Sequence, residues 1–238
     1  MKQRMISIAP TVFELFPDVQ IGLIVAWNLN NRERSDELTR LLRDEEMHAR
    51  TLFSAVNISQ HPVIQSWRKA YTRFWGSSSY RSSIEALAKR ALKGDVLPEI
   101  NPLVDCYNLT SLKYMMPVGG EDLQHVIGDV QLACAAGSER FTPLGSDVPE
   151  FPCKGEVVWV DESKEVLCRR WNWRESNKTK LTESTKKALL VVEGILPQNE
   201  LDVKEATCSL GSLVQTYCSA KIELFLLNQH VPSIIIKA

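Results

Sequence analysis

The segment RRWNWR, from Arg169 to Arg174, places two tryptophans among three arginines. Planar guanidinium groups bind phosphate and carboxylate, and an indole ring can stack on a nucleic-acid base. If the segment is a strand, alternation gives it two faces, with Arg169, Trp171 and Trp173 on one and Arg170, Asn172 and Arg174 on the other. The pattern fits a ligand-binding surface, and it fits equally well a pair of core tryptophans with a solvated charged face.

Basic residues continue beyond this segment. Eight basic and three acidic residues lie between Lys164 and Lys187, whereas the whole chain has a formal net charge of only -1. Binding many phosphates requires a large basic excess, which this chain lacks. Any contact with nucleic acid is therefore expected to be a local patch, for which the candidates are Arg169, Arg170, Arg174, Lys178 and Lys180.

Other polar residues lie in mostly apolar surroundings. Asn108, Thr110 and Ser111 fall within one amphipathic segment, where they are either satisfied in the core or facing a pocket. Gly119 and Gly120 lack the context of a dinucleotide-binding or phosphate-binding loop, so a tight turn is expected there unless a ligand approaches the backbone. None of the four histidines lies in a recognisable catalytic motif.

Several kinds of site and location are not expected. The six cysteines form no CxxC pair and have no histidine at zinc-ligand spacing, so no metal site is predicted. We find no apolar run of 18 residues and no export signal, and unpaired thiols favour a reducing compartment. The sequence thus predicts a cytoplasmic protein that does not span a membrane.

Helix and strand patterns alternate along the chain and predict an α+β fold with a helical N-terminal third. We expect a single domain over 1–238, with 1–80 as its strand-and-helix part and 81–238 as the core that holds the pocket. The predicted helices are Ser35–Ala55, one beginning near Pro62, one from Ser82 or Ser83 to Leu92, Asn101–Tyr114, Thr182–Lys187 and Asn199–Ser219. The predicted strands are Thr11–Leu15, Ile21–Trp27, Val126–Ala133, Glu156–Trp159, Glu165–Trp173, Ala188–Val192 and Lys221–Leu227. Loops or turns are expected at Gly76–Ser83, Met115–Leu123 and Asp161–Lys164.

Two longer segments resemble a known family. They are PLVDCYNLTSLKYMMPVGGEDL (Pro102–Leu123) and VLCRRWNWRESNKTKLTESTKKALLVVEG (Val166–Gly194). Both look like the B3/B4 domain of the phenylalanyl-tRNA synthetase β subunit, and more closely like the stand-alone members of that superfamily. The resemblance implies an α+β fold with a pocket between the Asn-bearing helix and a sheet, which the 3′ end of a tRNA enters. In the synthetase this domain hydrolyses tyrosine wrongly esterified to tRNA(Phe).

The resemblance carries some site residues over and changes others. The family's Asn, Pro and Asp fall on Asn108, Pro117 and Asp122, and its editing Glu falls on Glu193 if a small gap is allowed. Four positions depart from the family pattern. Tyr107 replaces a pocket Thr, Gly119 replaces a His, and Asn172-Trp173 replace a Gly-Gly wall. Because Asn and Trp reshape the space for an aromatic side chain, we do not expect tyrosine specificity to transfer.

The leading hypothesis is a trans-acting aminoacyl-tRNA deacylase that needs no metal or organic cofactor. Asn108 and Glu193 are its candidate catalytic residues. Its candidate substrate-binding residues are Tyr107, Thr110, Ser111, Gly119, Gly120, Asn172 and Trp173, and its expected partner is the aminoacylated 3′ end of a tRNA. One alternative is a non-catalytic binder of RNA or an amino acid-like ligand, and another is a partner-binding module. A cavity between Asn108 and Asn172 that Trp173 closed would exclude the editing hypothesis.

Overall fold

The computed structural model describes residues 3–54, 57–75 and 80–237. The helices are α1 (Pro10–Leu15), α2 (Asp36–Phe53), α3 (Pro62–Trp75), α4 (Ser83–Leu92), α5 (Pro102–Tyr114) and α6 (Glu200–Cys218), with a 3₁₀ turn at Ile58–Gln60. The strands are β1 (Gln3–Ile8), β2 (Gln20–Trp27), β3 (Val118–Asp122), β4 (Val130–Cys134), β5 (Val157–Asp161), β6 (Val166–Arg169), β7 (Arg174–Glu175), β8 (Lys187–Gly194), β9 (Lys221–Leu227) and β10 (Ser233–Lys237). The predicted α+β class is confirmed. No helix in the described ranges is long and apolar enough to cross a membrane.

The strands form two sheets. One has six strands in the order β10-β1-β4-β5-β6-β7, and the other has four in the order β3-β8-β2-β9. Along β8, Leu189 and Val191 face the core between the sheets, whereas Leu190 and Val192 face a second core built with α2, α5 and α6. Glu193 shares the face of Val191, because side chains alternate along a strand. Its carboxyl group therefore points into the core between the two sheets.

Most helices begin where capping residues predict. The side chains of Ser35, Ser82, Asn101 and Asn199 each accept a hydrogen bond from a backbone N–H in the first turn of α2, α4, α5 and α6. The end of the predicted Ser35–Ala55 helix and the first half of the predicted Gly76–Ser83 loop lie outside the described residues. The turn at Asp161–Lys164 is confirmed, with Lys164 at a φ of 65° and its N–H donated to the Asp161 carbonyl.

Three predicted elements differ in kind. Thr11–Leu15 belongs to α1, because Pro10 suits the first turn of a helix. Within Met115–Leu123, Val118–Asp122 is not a turn but strand β3, paired antiparallel with β8. Thr182–Lys187 is not a helix: the Thr185 hydroxyl accepts from the Thr182 N–H and donates to the Asp122 carboxylate, which fixes a turn there.

The RRWNWR segment is not one strand. Strand β6 ends at Arg169, and residues 170–173 turn the chain into β7, with the Trp173 N–H donated to the Arg169 carbonyl at 3.1 Å. Arg170 and Trp171 have φ values of 50° and 64°, a conformation that L-residues seldom adopt. Tertiary packing stabilises it, because the Trp171 ring is fully buried against Phe16 and Trp67. The predicted alternation of faces is therefore wrong beyond Arg169.

Candidate functional site

Three neighbouring cavities share one lining residue, Glu175. The inner chamber, between the two sheets, has a volume of about 30 Å³. The outer cavity, between α4, α5 and the 170–173 turn, measures about 240 Å³. The apolar cavity, between α5 and the 180–183 segment, measures about 350 Å³. The elements that the sequence analysis singled out thus surround one branched cleft.

The outer cavity brings together residues predicted to face each other. Asn108 on α5 and Asn172 on the turn line it from opposite sides, and Trp173 borders the cavity without closing it. This geometry does not exclude the editing hypothesis, which stays a prediction. The other lining side chains include polar, charged and apolar groups, namely Ser83, Leu87, Arg90, Tyr107, Ser111 and Arg174.

The apolar cavity lies on the other side of Tyr107. Its wall is largely aliphatic and includes Ile100, Val104, Leu144 and Leu181. Lys180 and Glu183 also line it, and both are exposed to solvent. Aliphatic walls that end in a charged rim suit a ligand with one apolar and one polar end.

The inner chamber holds three acidic side chains, those of Glu121, Glu175 and Glu193. Its other walls are mainly apolar and include Trp159, Leu167, Trp171, Leu189 and Val191. A volume of about 30 Å³ admits one or two water-sized groups, since roughly 10–15 Å³ of such space holds one water. Three carboxyl groups beside so small and apolar a space are costly to ionise.

Glu193 is the most firmly held of the three. Its Oε1 accepts a hydrogen bond from Nε1 of Trp159 at 2.8 Å, and its Oε2 accepts from Nδ2 of Asn172 at 2.6 Å. Asn172 is held in turn by the Tyr71 hydroxyl, which donates to Oδ1 at 2.7 Å. Burial raises the pKa of Glu193 to about 8, although both hydrogen bonds lower it. Glu193 is therefore a fixed carboxyl group that titrates near neutral pH.

Glu121 and Glu175 form a second acidic feature, the carboxyl pair. The Oε2 atom of each is buried and receives no hydrogen bond from the described residues. Burial raises the pKa of Glu175 to about 7. Burial and the neighbouring charge of Glu175 raise the pKa of Glu121 well above its usual value. Two adjacent buried carboxyls cannot both ionise cheaply unless a cation neutralises them, and no cation among the described residues acts on either of them.

Strand β3 presents backbone donors along its edge. The Glu193 N–H is donated to the Pro117 carbonyl and the Leu123 N–H to the Lys187 carbonyl, so odd-numbered residues of β3 bond to β8. Hydrogen bonding alternates along an antiparallel edge strand, which turns the N–H groups of Val118 and Gly120 away from β8. Both residues line cavities of the cleft. The predicted backbone contribution of the glycine pair thus falls to Gly120, whereas Gly119 pairs with Val191.

Several predicted site residues have internal roles instead. Thr110 is fully buried and its hydroxyl donates to the Cys106 carbonyl, one turn back in α5. Ser111 donates to the Met116 carbonyl, although it also lines the outer cavity. Asp122, the family's Asp, accepts from the Thr185 hydroxyl at 2.7 Å and positions the loop before β8.

Two of the five predicted basic residues are buried in internal contacts, and the other three lie nearer to solvent. Arg169 is 6% exposed and ion-paired with Glu150 and Glu156, at 2.7 and 2.9 Å. Arg170 is 4% exposed, and its guanidinium carbon lies 3.6 and 4.2 Å from the ring centroids of Tyr80 and Trp173.

The remaining three basic residues are nearer to solvent. Lys178 is paired with Asp161 at 3.0 Å. Arg174 and Lys180 border the outer and apolar cavities, and sequence reasoning missed Arg90, which is exposed beside Arg174 in the same lining. The basic surface at the cleft is therefore smaller than predicted.

Glu121, Glu175, Trp159 and Tyr71 are the other residues that sequence reasoning missed. Glu175 directly follows the RRWNWR segment, and Glu121 directly follows the glycine pair. An acid beside two glycines in an apolar stretch was the available signal. In the described ranges no three His, Cys, Asp or Glu side chains are placed to hold a metal ion.

A family model described as the B3/4 domain matches residues 66–210, more than half of the sequence, and the chain therefore belongs to the B3/4 domain family. The predicted family is confirmed. A solved structure with a similar fold is an N-terminal fragment of the phenylalanyl-tRNA synthetase β-subunit from Pyrococcus horikoshii. It is 13% identical, the match covers 91% of this chain and 49% of that one, and the TM-score is 0.48. This chain thus spans about half the length of that fragment. No curated protein matches this chain.

Proposed function

We propose that the chain is a trans-acting aminoacyl-tRNA deacylase, which hydrolyses the ester between an amino acid and the terminal ribose of a tRNA. The observation that carries the proposal is Glu193. It is a buried carboxyl group with a pKa of about 8, held by Trp159 and Asn172 at the end of a cleft large enough for a ligand. A general acid–base group works best when its pKa lies near the operating pH.

Hydrolysis requires one proton to move in each direction. Glu193, when ionised, takes a proton from a water molecule in the inner chamber as the water oxygen bonds to the ester carbonyl carbon. The bond from that carbon to the ribose oxygen then breaks, and the proton passes from Glu193 to the departing ribose oxygen. The products are a free amino acid and a tRNA with its terminal hydroxyl restored.

Charge that develops on the carbonyl oxygen needs hydrogen-bond donors. The outward N–H groups of Val118 and Gly120 and the side-chain amide of Asn108 supply donors around the cleft. Asn172 holds Glu193 and so acts as a positioning residue rather than a catalytic one. No step needs a metal ion.

The two larger cavities suit the two ends of the substrate. The outer cavity, with Arg90, Arg174 and the indole of Trp173 in its lining, takes the terminal adenosine and the adjoining phosphate. The apolar cavity takes the amino acid side chain, with Lys180 near the entering strand. Its aliphatic walls favour an apolar side chain over a polar one.

The test is a panel of aminoacyl-tRNAs incubated with the wild-type protein and with Glu193→Gln. Glu223→Gln, which removes an exposed carboxylate on β9 outside the cleft, is the matched control. Cleavage of at least one ester above its spontaneous rate, lost in Glu193→Gln and kept in Glu223→Gln, supports the proposal. Tight binding of tRNA without any cleavage would instead identify a non-catalytic RNA-binding protein, and absence of binding a partner-binding module.

A further inference from the structure

The carboxyl pair has no role in the proton transfers assigned to Glu193. Glu121 is 5% exposed, lines the inner chamber and leaves Oε2 without a hydrogen bond from the described residues. Oε2 of Glu175 is likewise buried and receives no hydrogen bond from the described residues. Glu121 and Glu175 can hydrogen-bond to each other only while one of them is protonated. Buried polar atoms are nearly always satisfied in folded proteins, so the ionised pair requires a donor for its two buried oxygens.

Among the residues that the structure describes, no lysine or arginine acts on either carboxyl group of the pair. Arg174 is directed to Glu150 at 3.7 Å, Lys178 to Asp161 at 3.0 Å, and the ammonium group of Lys180 donates to Asn177 at 3.0 Å. The titratable side chains that act on the pair from neighbouring elements are Tyr107 on α5, Cys168 on β6 and Glu193 on β8. None of these three is a cation.

The size of the chamber restricts what the partner is. A volume of about 30 Å³ accepts a group as large as one or two waters, such as a primary ammonium, but not a planar guanidinium. A metal ion would need further ligands, and no suitable group of three exists in the described ranges.

We propose that the carboxyl pair of Glu121 and Glu175 binds the α-ammonium group of an amino acid derivative, which makes the cleft selective for a free amino group. This inference rests on the proposed function only for the ligand's identity as an aminoacyl ester. An ammonium group donates three hydrogen bonds and neutralises the pair.

The position of Glu175 also determines where the ester and the side chain of such a ligand lie. It lines all three cavities, so a ligand whose ammonium group lies in the inner chamber has its α-carbon at their junction. The other two large substituents of that carbon, the ester and the side chain, then extend into the outer and apolar cavities. The ester carbonyl is two bonds from the ammonium nitrogen and lies between the carboxyl pair and Glu193. Three unlike cavities around one carbon also distinguish the L from the D configuration.

Calorimetric titration with L-leucinamide and N-acetyl-L-leucinamide tests the inference without a tRNA. The two probes share an apolar side chain, but only the first carries an ammonium group. Loss of a charged hydrogen-bond pair costs about 1.5–3 kcal/mol, so the wild type is expected to bind L-leucinamide at least about tenfold more tightly. The double variant Glu121→Gln/Glu175→Gln is expected to lose this preference, and Glu223→Gln, which changes an exposed carboxylate on β9 outside the cleft, to keep it. Melting curves establish that each variant is folded.

Equal affinity for the two amides, failure to bind either at millimolar concentration, or an unchanged preference in the folded double variant would each overturn the inference. A parallel assay with aminoacyl-tRNA and N-acetylaminoacyl-tRNA separates this inference from the proposed function. Selective binding of the free amine with no ester cleavage would refute the deacylase but keep the ammonium site. Equal cleavage of both tRNAs would refute the ammonium site but keep the deacylase.

Discussion

Oε1 of Glu175 lies 2.7 Å from the point where a Cβ atom on Gly119 would stand. The carboxyl group thus occupies the space that any side chain at position 119 would take. The synthetase pattern that this segment resembles has a His at this position, whereas Gly119 leaves the space to the Glu175 carboxyl.

Gly119→Ala is expected to displace the Glu175 carboxyl and to slow deacylation about tenfold, because a shift of the ligand's ammonium group misplaces the ester. The contact is with the end of a flexible side chain, so the variant is expected to fold. Single-turnover kinetics of Gly119→Ala, Glu175→Gln and the double variant test this coupling. If the two single effects simply add, Gly119 does not act through Glu175.

Glu193 also predicts how stability depends on pH. Its pKa is about 8 in the folded chain and about 4.3 when unfolded, so between these values the folded state holds a proton that the unfolded state has released. The free energy of unfolding is therefore expected to fall as pH rises from about 4.5 to 8, by up to about 1.4 kcal/mol per pH unit from this residue. Urea titrations of the wild type and Glu193→Gln across this range measure it. The variant is expected to show a shallower slope, and an identical slope would contradict the burial of an ionisable group.

The hydrogen bond from Tyr71 to Asn172 links the core to the cleft. Tyr71→Phe leaves the buried Oδ1 of Asn172 without a donor, which is expected to cost about 1–3 kcal/mol in the free energy of unfolding. We also expect a lower rate of deacylation with little change in tRNA affinity, because Asn172 holds Glu193 and not the RNA. Phe74→Leu, in the same helix and core, is a control for general loosening. Equal loss of activity in both variants would remove the specific role of the hydroxyl.

Substitutions of the arginines in the RRWNWR segment are expected to have different effects, because Arg174 borders the cleft and Arg169 is buried in ion pairs. Arg174→Ala and Lys180→Ala are each expected to weaken tRNA binding roughly threefold and to reduce the salt dependence by about one released counterion. Arg169→Ala is expected to destabilise the fold by about 3–5 kcal/mol, because it leaves Glu156 buried without its partner. Filter binding at several salt concentrations, with exposed Lys204→Ala as the control on α6, separates these outcomes. An unchanged salt slope in both cleft variants would exclude them as phosphate contacts.

Local signals predicted the helices well. Caps and first-turn prolines define the starts of α2, α4, α5 and α6, and the short continuous apolar runs of β2 and β8 define buried strands. The turn at 170–173 was not predictable, because its positive φ values depend on the packing of Trp171 against Phe16 and Trp67, which are distant in sequence. Strand β3 was missed for a related reason. Its glycines look like a turn, but Gly119 leaves space for Glu175 and Gly120 leaves space for Leu190, both of which are distant in sequence.

Some residues of the candidate site were predicted from the sequence and others were not. The resemblance to the family pointed to Asn108, Asn172 and Glu193, which line connected cavities. The carboxyl pair was not predictable, because its burial depends on β3, β7 and β8 packing together. Charge alone overestimated the basic patch, since ion pairs with Glu150, Glu156 and Asp161 become visible only in three dimensions.

The most direct test of the account is the single-turnover rate of ester hydrolysis by wild-type protein and Glu193→Gln, measured from pH 6 to 9 on an aminoacyl-tRNA with an apolar side chain and corrected for spontaneous hydrolysis. The account predicts that the wild-type rate rises with pH through a midpoint near pH 8, as Glu193 ionises, and that Glu193→Gln loses at least about 100-fold at pH 9 while still binding tRNA. A Glu193→Gln protein that cleaves the ester at the wild-type rate, or a wild type that cleaves none, would contradict it.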